Sequence, residues 1–162
     1  MKIQTGYIYH IKDDFFAKIN DKGLMANHEN GRTRPTYFTI KDKNILWSIP
    51  LSSKVSKYKS IIDKKIEKYG ECKSIMIKEI ANRQTVILLQ NAFPILEKYI
   101  SHPHVVNGAH VRVADNLKKE ILSNFNSLLA LKRHGINLFF TDIDRIKEIM
   151  LNELNNIVSS EQ

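Results

Sequence analysis

Residues 36–70 read TYFTIKDKNILWSIPLSSKVSKYKSIIDKKIEKYG, and this stretch changes from a strand pattern to a helix pattern near its middle. Residues 36–41 and 45–50 are rich in β-branched and aromatic side chains and predict two strands joined by a turn at 42–44. From Val55 onward, apolar residues recur at helical spacing with lysines between them, and Gly70 is a suitable stop. Strands followed by a basic helix predict an α+β fold.

The flanking segments extend this pattern in both directions. Before it we predict a strand at 6–11, a short helix at 14–19 capped by Asp13, and a polar loop at 27–34. After it we predict a hairpin at 74–80 and 85–90, a helical piece at 96–100, a turn at His102-Pro103 and a weak strand at 110–113. The C-terminal third is predicted to contain a helix at 117–129, a short strand at 137–140 and a last helix capped at Thr141 or Asp142.

The simplest architecture is a single domain over residues 1–162. Its core, at about 5–114, is a small antiparallel β-barrel with an inserted lysine-rich helix at about 53–69, and C-terminal helices follow at about 115–156. The lone cysteine, Cys72, cannot form an internal disulfide, and no apolar run is long enough for a signal peptide or a membrane span. We therefore expect a cytoplasmic protein without a membrane partner.

The charge is positive and uneven. Lysine and arginine outnumber aspartate and glutamate by 25 to 17, which gives a net charge of +8, while the segment after residue 141 is acidic. The surplus lies upstream, in Arg32, Arg34, Lys54, Lys57, Lys59, Lys64, Lys65 and Lys68. Such a field suits a polyphosphate partner, although a solvated lysine-rich surface explains the charge equally well. An anionic membrane surface is a weaker alternative, because no basic helix carries Trp and Phe.

Common catalytic and metal-binding motifs are absent from the sequence, and no cofactor is predicted. His102, His104 and His110 lie close together, but no Cys or acidic ligand accompanies them at metal spacing. We interpret them as a surface turn and predict no metal site.

The junction between the second strand and the basic helix is the first candidate site. Ser52, Ser53 and Lys54 lie there, and a helix N-terminus offers free N–H groups and partial positive charge to a phosphate. The alternative is that a serine simply caps the helix.

The polar loop at 27–34 is the second candidate, because His28, Arg32 and Arg34 suit proton transfer and phosphate contacts. The alternative is a solvated basic loop.

Other residues are candidates for base recognition. Tyr9 and Tyr37 could stack on unpaired bases, although tyrosine in a strand is more often packed. Gln90 and Asn91 could read base edges or pair with a buried loop.

Four motifs occur in order along the chain: GYIYHI at 6–11, RPTYF at 34–38, LWSIPLSS at 46–53 and LLQNAFPI at 88–95. Together they resemble the CptN-like branch of the ToxN/AbiQ family of type III toxins. The resemblance implies a PemK/MazF-like (SH3-like) small barrel decorated by helices. It also implies a metal-independent endoribonuclease with a role in phage defence.

The resemblance also implies roles for individual residues. Ser52 and Ser53 match the family's hydroxyl dipeptide, Lys54 or Lys57 its lysine, and Arg34 its basic residue, with His28 a possible proton-transfer or positioning group. The implied reaction is attack of the RNA 2′-hydroxyl on the adjacent phosphate, giving a 2′,3′-cyclic phosphate and a 5′-hydroxyl.

The implied partners are RNAs. Arg32, Lys57, Lys59 and Lys64 would bind the backbone of a single-stranded target. A structured repeat RNA antitoxin would be processed by the toxin, inhibit it and join it in a closed protein–RNA oligomer. Three alternatives remain open: a non-catalytic RNA-binding module, a type II MazF-like toxin inhibited by a protein, and a structural protein that binds a partner through the C-terminal helices.

Overall fold

A computed structural model gives the structure of residues 2–42 and 44–160. The strands are β1 (Ile8–Ile11), β2 (His28–Glu29), β3 (Arg32–Thr33), β4 (Thr36–Asp42), β5 (Ile45–Ser52), β6 (Met76–Ile80), β7 (Arg83–Ile87), β8 (Phe93–Leu96), β9 (Ile100–Pro103), β10 (Val105–Val106) and β11 (Ala109–His110). The α-helices are α1 (Asp13–Ile19), α2 (Val55–Tyr69), α3 (Asp115–Arg133) and α4 (Ile143–Ser160). The predicted α+β class is confirmed.

The long strand β5 organises the main antiparallel sheet. It pairs with β4 along its length, with β8 at its beginning and with β7 at its end. The sheet continues in the order β6-β7-β5-β4-β1-β9, and two small hairpins, β2-β3 and β10-β11, lie outside it. Among the described strands, β6 and β9 do not pair with each other, so closure into a barrel is not confirmed.

Successive side chains of β4 point to opposite faces of the sheet, so the core is divided between the two faces. Tyr37 packs with Trp47 and with Phe125 of α3 on one face, whereas Phe38 packs with side chains of α1 and α4 on the other. Both residues are fully buried. No helix in the described part of the chain is long and apolar enough to cross a membrane.

The central prediction is confirmed. β4 and β5 contain the two predicted strands, and α2 ends where Gly70 adopts a left-handed conformation with φ of 82°. Lys43, in the middle of the predicted turn, lies outside the described residues. Asp142 caps α4, since its Oδ1 accepts the N–H of Arg145 at 3.2 Å.

Several predicted elements were wrong. The loop at 27–34 contains the β2-β3 hairpin, because Asn30 and Gly31 both adopt positive φ in its turn. The His102-Pro103 turn is instead part of β9, paired with β1.

Near the helices, Asp13 lies inside the first turn of α1 and does not cap it. The strand at 137–140 does not form, because Asn137 Oδ1 accepts the N–H of Phe139 and bends the segment.

Candidate active site

The end of β5 runs directly into α2 and presents two serines in different environments. Ser52 is buried, and its Oγ accepts the backbone N–H of Lys54 at 3.2 Å, whereas Ser53 is exposed. Lys54 occupies the N-cap position and no side chain caps α2, so capping does not explain the serine pair. The first turn of α2 carries no acidic residue, which leaves its partial positive charge available to an anion.

Arg34 connects the β2-β3 hairpin to this junction. Its Nη1 donates to the carbonyl of Leu51 at 3.0 Å, and its Nε donates to the carbonyl of Ala26 at 2.9 Å. Its Nη2 lies 3.1 Å from a carboxylate oxygen of Glu29. Arg34 is buried. The guanidinium therefore holds the strand end next to Ser52, and each of its three nitrogens already makes a contact.

Glu29 is a residue of this site that the sequence analysis missed. One carboxylate oxygen faces Arg34, and the other lies 3.5 Å from Nζ of Lys54, so that Glu29 bridges two cations. Its cross-strand partner is Arg32, which is exposed. The Asn30-Gly31 pair is a strong hairpin signal and could have indicated that Glu29 belongs to a strand with a defined facing direction.

His28 is not brought to the Ser53 junction. Neighbouring residues of a strand point to opposite sides, and His28 Nε2 contacts Asp13 Oδ1 at 2.7 Å while Glu29 faces Arg34. Hydrogen bonds from His28 and Asn27 lower the pKa of the Asp13 carboxyl. His28 is thus paired with α1, and the arrangement gives it no role at the serines.

The predicted RNA-binding lysines of α2 lie on two sides of the helix. Lys57 and Lys64 are exposed and seven residues apart, which places them on one face of α2. Lys59 lies roughly 200° around the helix from Lys57 and is 3.6 Å from Asp63. Within the described residues, no carboxylate pairs with Lys57 or Lys64. The face of α2 that carries Lys57 and Lys64 therefore offers positive charge that no carboxylate of the described residues neutralises.

Four residues predicted to recognise bases are buried, and this prediction is corrected. The rings of Tyr9 and Tyr37 are at most 1% exposed, and burial raises the pKa of Tyr37 to about 12. Gln90 and Asn91 are also buried, and Asn91 Nδ2 donates to the carbonyl of Gly23 at 2.8 Å. Since β1, β4 and the segment after β7 cross the core, these side chains pack inward and have no free face for a base.

The histidine cluster also contains His10, which the sequence analysis did not place with His102 and His104. His10 of β1 contacts His104, with 2.9 Å between Nε2 and Nδ1, and its ring stacks on that of His102. Burial, with His104 and His102 nearby, lowers the pKa of His10 to about 4, and burial also lowers the pKa of His104. Among the described residues, no group of three or more His, Cys, Asp or Glu side chains is arranged to hold a metal ion.

No family model matches the sequence, and no curated protein matches it. Among solved structures, AbiQ superimposes with a TM-score of 0.73, covering 94% of this chain and 99% of the AbiQ chain. This chain is similar in fold to AbiQ. AbiQ is a lactococcal anti-phage endoribonuclease belonging to the type III toxin–antitoxin system. The two sequences are 10% identical, so the similarity to AbiQ establishes the fold, and the family resemblance is confirmed at that level.

Proposed function

We propose that this chain is a sequence-preferring endoribonuclease toxin of a type III toxin–antitoxin system, with its site at Ser53. The observation that carries the proposal is an exposed Ser53 beside Lys54 at an uncapped helix N-terminus, in a fold similar to that of AbiQ. In this proposal, residues 1–162 form one toxin domain of the CptN-like branch with a PemK/MazF-like fold. The toxin acts in the cytoplasm, in defence against phages.

The proposed reaction is cleavage by the RNA itself. The 2′-hydroxyl oxygen attacks the adjacent phosphorus, the bond from phosphorus to the 5′ oxygen breaks, and the products carry a 2′,3′-cyclic phosphate and a 5′-hydroxyl. The proton lost by the 2′-hydroxyl is balanced by one gained by the 5′ oxygen. Ser53 would contact the phosphate, while Lys54 and the first N–H groups of α2 stabilise its added negative charge. Such electrostatic stabilisation requires no metal.

The supporting residues have indirect roles in this proposal. Ser52 and Arg34 are positioning residues, because one holds the backbone of Lys54 and the other holds the carbonyl of Leu51. Lys57 and Lys64 continue the positive charge along α2, away from the serines. A target RNA and a repeat RNA antitoxin would use this same surface, the antitoxin as a bound product within a closed protein–RNA oligomer.

Cleavage by the purified chain, stripped of nucleic acid and assayed in EDTA, tests the proposal. The variants are Ser53→Ala and Lys54→Ala, with Ser60→Ala as an exposed serine control from the same helix. We expect cuts that end in cyclic phosphate, lost in Ser53→Ala, strongly reduced in Lys54→Ala and retained in Ser60→Ala.

Tight RNA binding without cuts in the wild type would support the non-catalytic RNA-binding module instead. Copurification with RNA of one repeated length would support the type III assignment, and copurification with a protein inhibitor would support type II.

A further inference from the structure

The ring of His102 is exposed on one side and supported on the other. It lies on β9, the edge strand of the main sheet, directly opposite His10 of β1. The two imidazoles stack with centroids 4.6 Å apart and planes 13° from parallel. Since His10 is buried and His102 is exposed, the stack covers the inner face of His102 and leaves its outer face to solvent.

Hydrogen bonds fix both rings of this stack. His102 Nδ1 lies 2.8 Å from Ser101 Oγ. His10 uses both nitrogens, Nδ1 with Thr33 Oγ1 at 2.7 Å and Nε2 with His104 Nδ1 at 2.9 Å. With both nitrogens engaged, His10 is not available as a metal ligand. A ring held in place in this way loses little conformational freedom when a flat ligand stacks on it.

The groups around the stack leave the outer face of His102 open to a flat aromatic ligand. Within the described residues, none of His10, His102, His104 and His110 contacts a carboxylate. Burial, with His104 and His102 nearby, lowers the pKa of His10 to about 4, so His10 is neutral at pH 7. The exposed Arg112 pairs through its backbone with Tyr7, whose ring lies 4.6 Å from that of His110, and its guanidinium lies 3.8 Å from Asp115. An exposed aromatic face such as that of His102 is the kind of platform on which the bases of single-stranded nucleic acids stack.

The stack lies at the same end of the sheet as the serine junction. His102, His10, Pro35 and Leu51 form one row across β9, β1, the approach to β4, and β5. Three strand spacings of about 4.8 Å separate the ends of this row by about 14 Å. Ser53 follows Leu51 by two residues, so His102 is placed to contact a nucleotide a few positions along the RNA and not the phosphate at Ser53 itself.

We propose that the outer face of His102 is a stacking subsite for a nucleobase of single-stranded RNA, a few nucleotides from the phosphate held at Ser53. This inference rests on the proposed function, because it takes Ser53 as the position of the cut. It assigns the His10–His104 pair a positioning role, which is to hold His102 flat.

The test uses the full chain and 2′-O-methyl RNA oligomers, which bind but cannot undergo attack by the 2′-hydroxyl. Each oligomer carries the fluorescent base 2-aminopurine at one position, so that stacking at that position quenches its emission. The variants are His102→Ala and the aromatic replacement His102→Phe. His134→Ala, which removes another exposed histidine at the end of α3, is the matched control.

We expect quenching at one position, displaced from the cut, in the wild type, His102→Phe and His134→Ala. His102→Ala should lose this quenching and bind about ten-fold more weakly. If cleavable RNA is still cut but His102→Ala binds and quenches like the wild type, the subsite is overturned and the nuclease proposal stands. A wild type that neither binds nor cuts RNA would overturn both. If the wild type binds RNA without cutting it and His102→Ala binds more weakly, the subsite is supported and the nuclease proposal is overturned.

Discussion

Nη1 of Arg34 donates to the backbone carbonyl of Leu51 at 3.0 Å, and this bond ties the β2-β3 hairpin to the end of β5. The same guanidinium also reaches the carbonyl of Ala26 and the carboxylate of Glu29. The planar guanidinium makes the three contacts at once because its nitrogens point in different, fixed directions. The location of the serine junction therefore depends on a buried arginine whose partners are mostly backbone.

Replacing Arg34 with lysine should destabilise the protein and reduce cleavage, because a single ammonium nitrogen cannot reach the acceptors that three separate guanidinium nitrogens contact. We expect the free energy of unfolding to fall by about 2–4 kcal/mol. Urea denaturation measures this change. Arg32→Lys, on the exposed side of the same hairpin, should stay within about 0.5 kcal/mol of the wild type. Equal losses in both variants would show that the hydrogen bonds of Arg34 are unimportant.

Substituting each of the two serines should affect stability and cleavage activity differently. Ser53→Ala removes an exposed hydroxyl, so the free energy of unfolding should change by less than about 0.5 kcal/mol while cleavage is abolished. Ser52→Ala removes the acceptor for the N–H of Lys54, so stability should fall by about 1 kcal/mol and cleavage only in part. Urea titration and a cleavage assay on the same samples measure both. Full cleavage by Ser53→Ala would exclude it from the site.

Neutralising Glu29 should strengthen RNA binding. Its carboxylate lies 3.5 Å from Lys54 Nζ, and Glu29→Gln releases that ammonium for a phosphate. We expect RNA affinity at low salt to rise by about two- to five-fold, the scale of one partly exposed ion pair. Filter binding with 2′-O-methyl RNA measures it. Glu79→Gln makes the same charge change at an exposed position of β6. An equal gain in RNA affinity in that variant would show that only the net charge of the protein matters.

The elements that the sequence predicts best are those specified by neighbouring residues. The alternation in β4 and β5 and the helical spacing in α2 are local patterns, and each appears where predicted. The junction that holds Ser53 follows from them, because it lies where one pattern stops and the next begins.

Contacts between distant segments could not be predicted in this way. No local signal indicates that Arg34 would bond the carbonyl of Leu51 or that His10 would meet His102 and His104, since strand pairing brings these residues together. Residue type was also misleading for Tyr37, because a tyrosine suits both base stacking and a buried strand. Its full burial follows from helices covering both faces of the sheet.

Salt dependence should identify the lysines that contact RNA. Each phosphate neutralised on a single strand contributes about 0.7 to the slope of log affinity against log salt. Lys57→Gln and Lys64→Gln should each lower the magnitude of that slope by about this amount, because no described carboxylate competes for them. Lys59→Gln should leave it nearly unchanged, since Lys59 faces Asp63. A uniform decrease in all three would show that only the net charge of α2 matters.

The buried imidazole of His10 should make the protein less stable in mild acid. In the folded chain its pKa is about 4, lowered by burial and by the facing His104 and His102, whereas an unfolded histidine titrates near 6.5. As the pH falls from 6.5 toward 4, the unfolded chain therefore takes up a proton that the folded chain does not. The free energy of unfolding should fall by about 1–2 kcal/mol between pH 7 and pH 5, with partial solvent screening included.

Urea denaturation at pH 7, 6 and 5 measures this loss, and the difference between wild type and His10→Asn isolates the contribution of His10 from that of the carboxylates. The variant should lose less stability over the window than the wild type does, because asparagine does not titrate. His134→Asn removes an exposed imidazole and should follow the wild type. Parallel curves for wild type and His10→Asn would mean that His10 accepts a proton in the folded chain as readily as in the unfolded one, which its burial and the neighbouring His104 and His102 argue against.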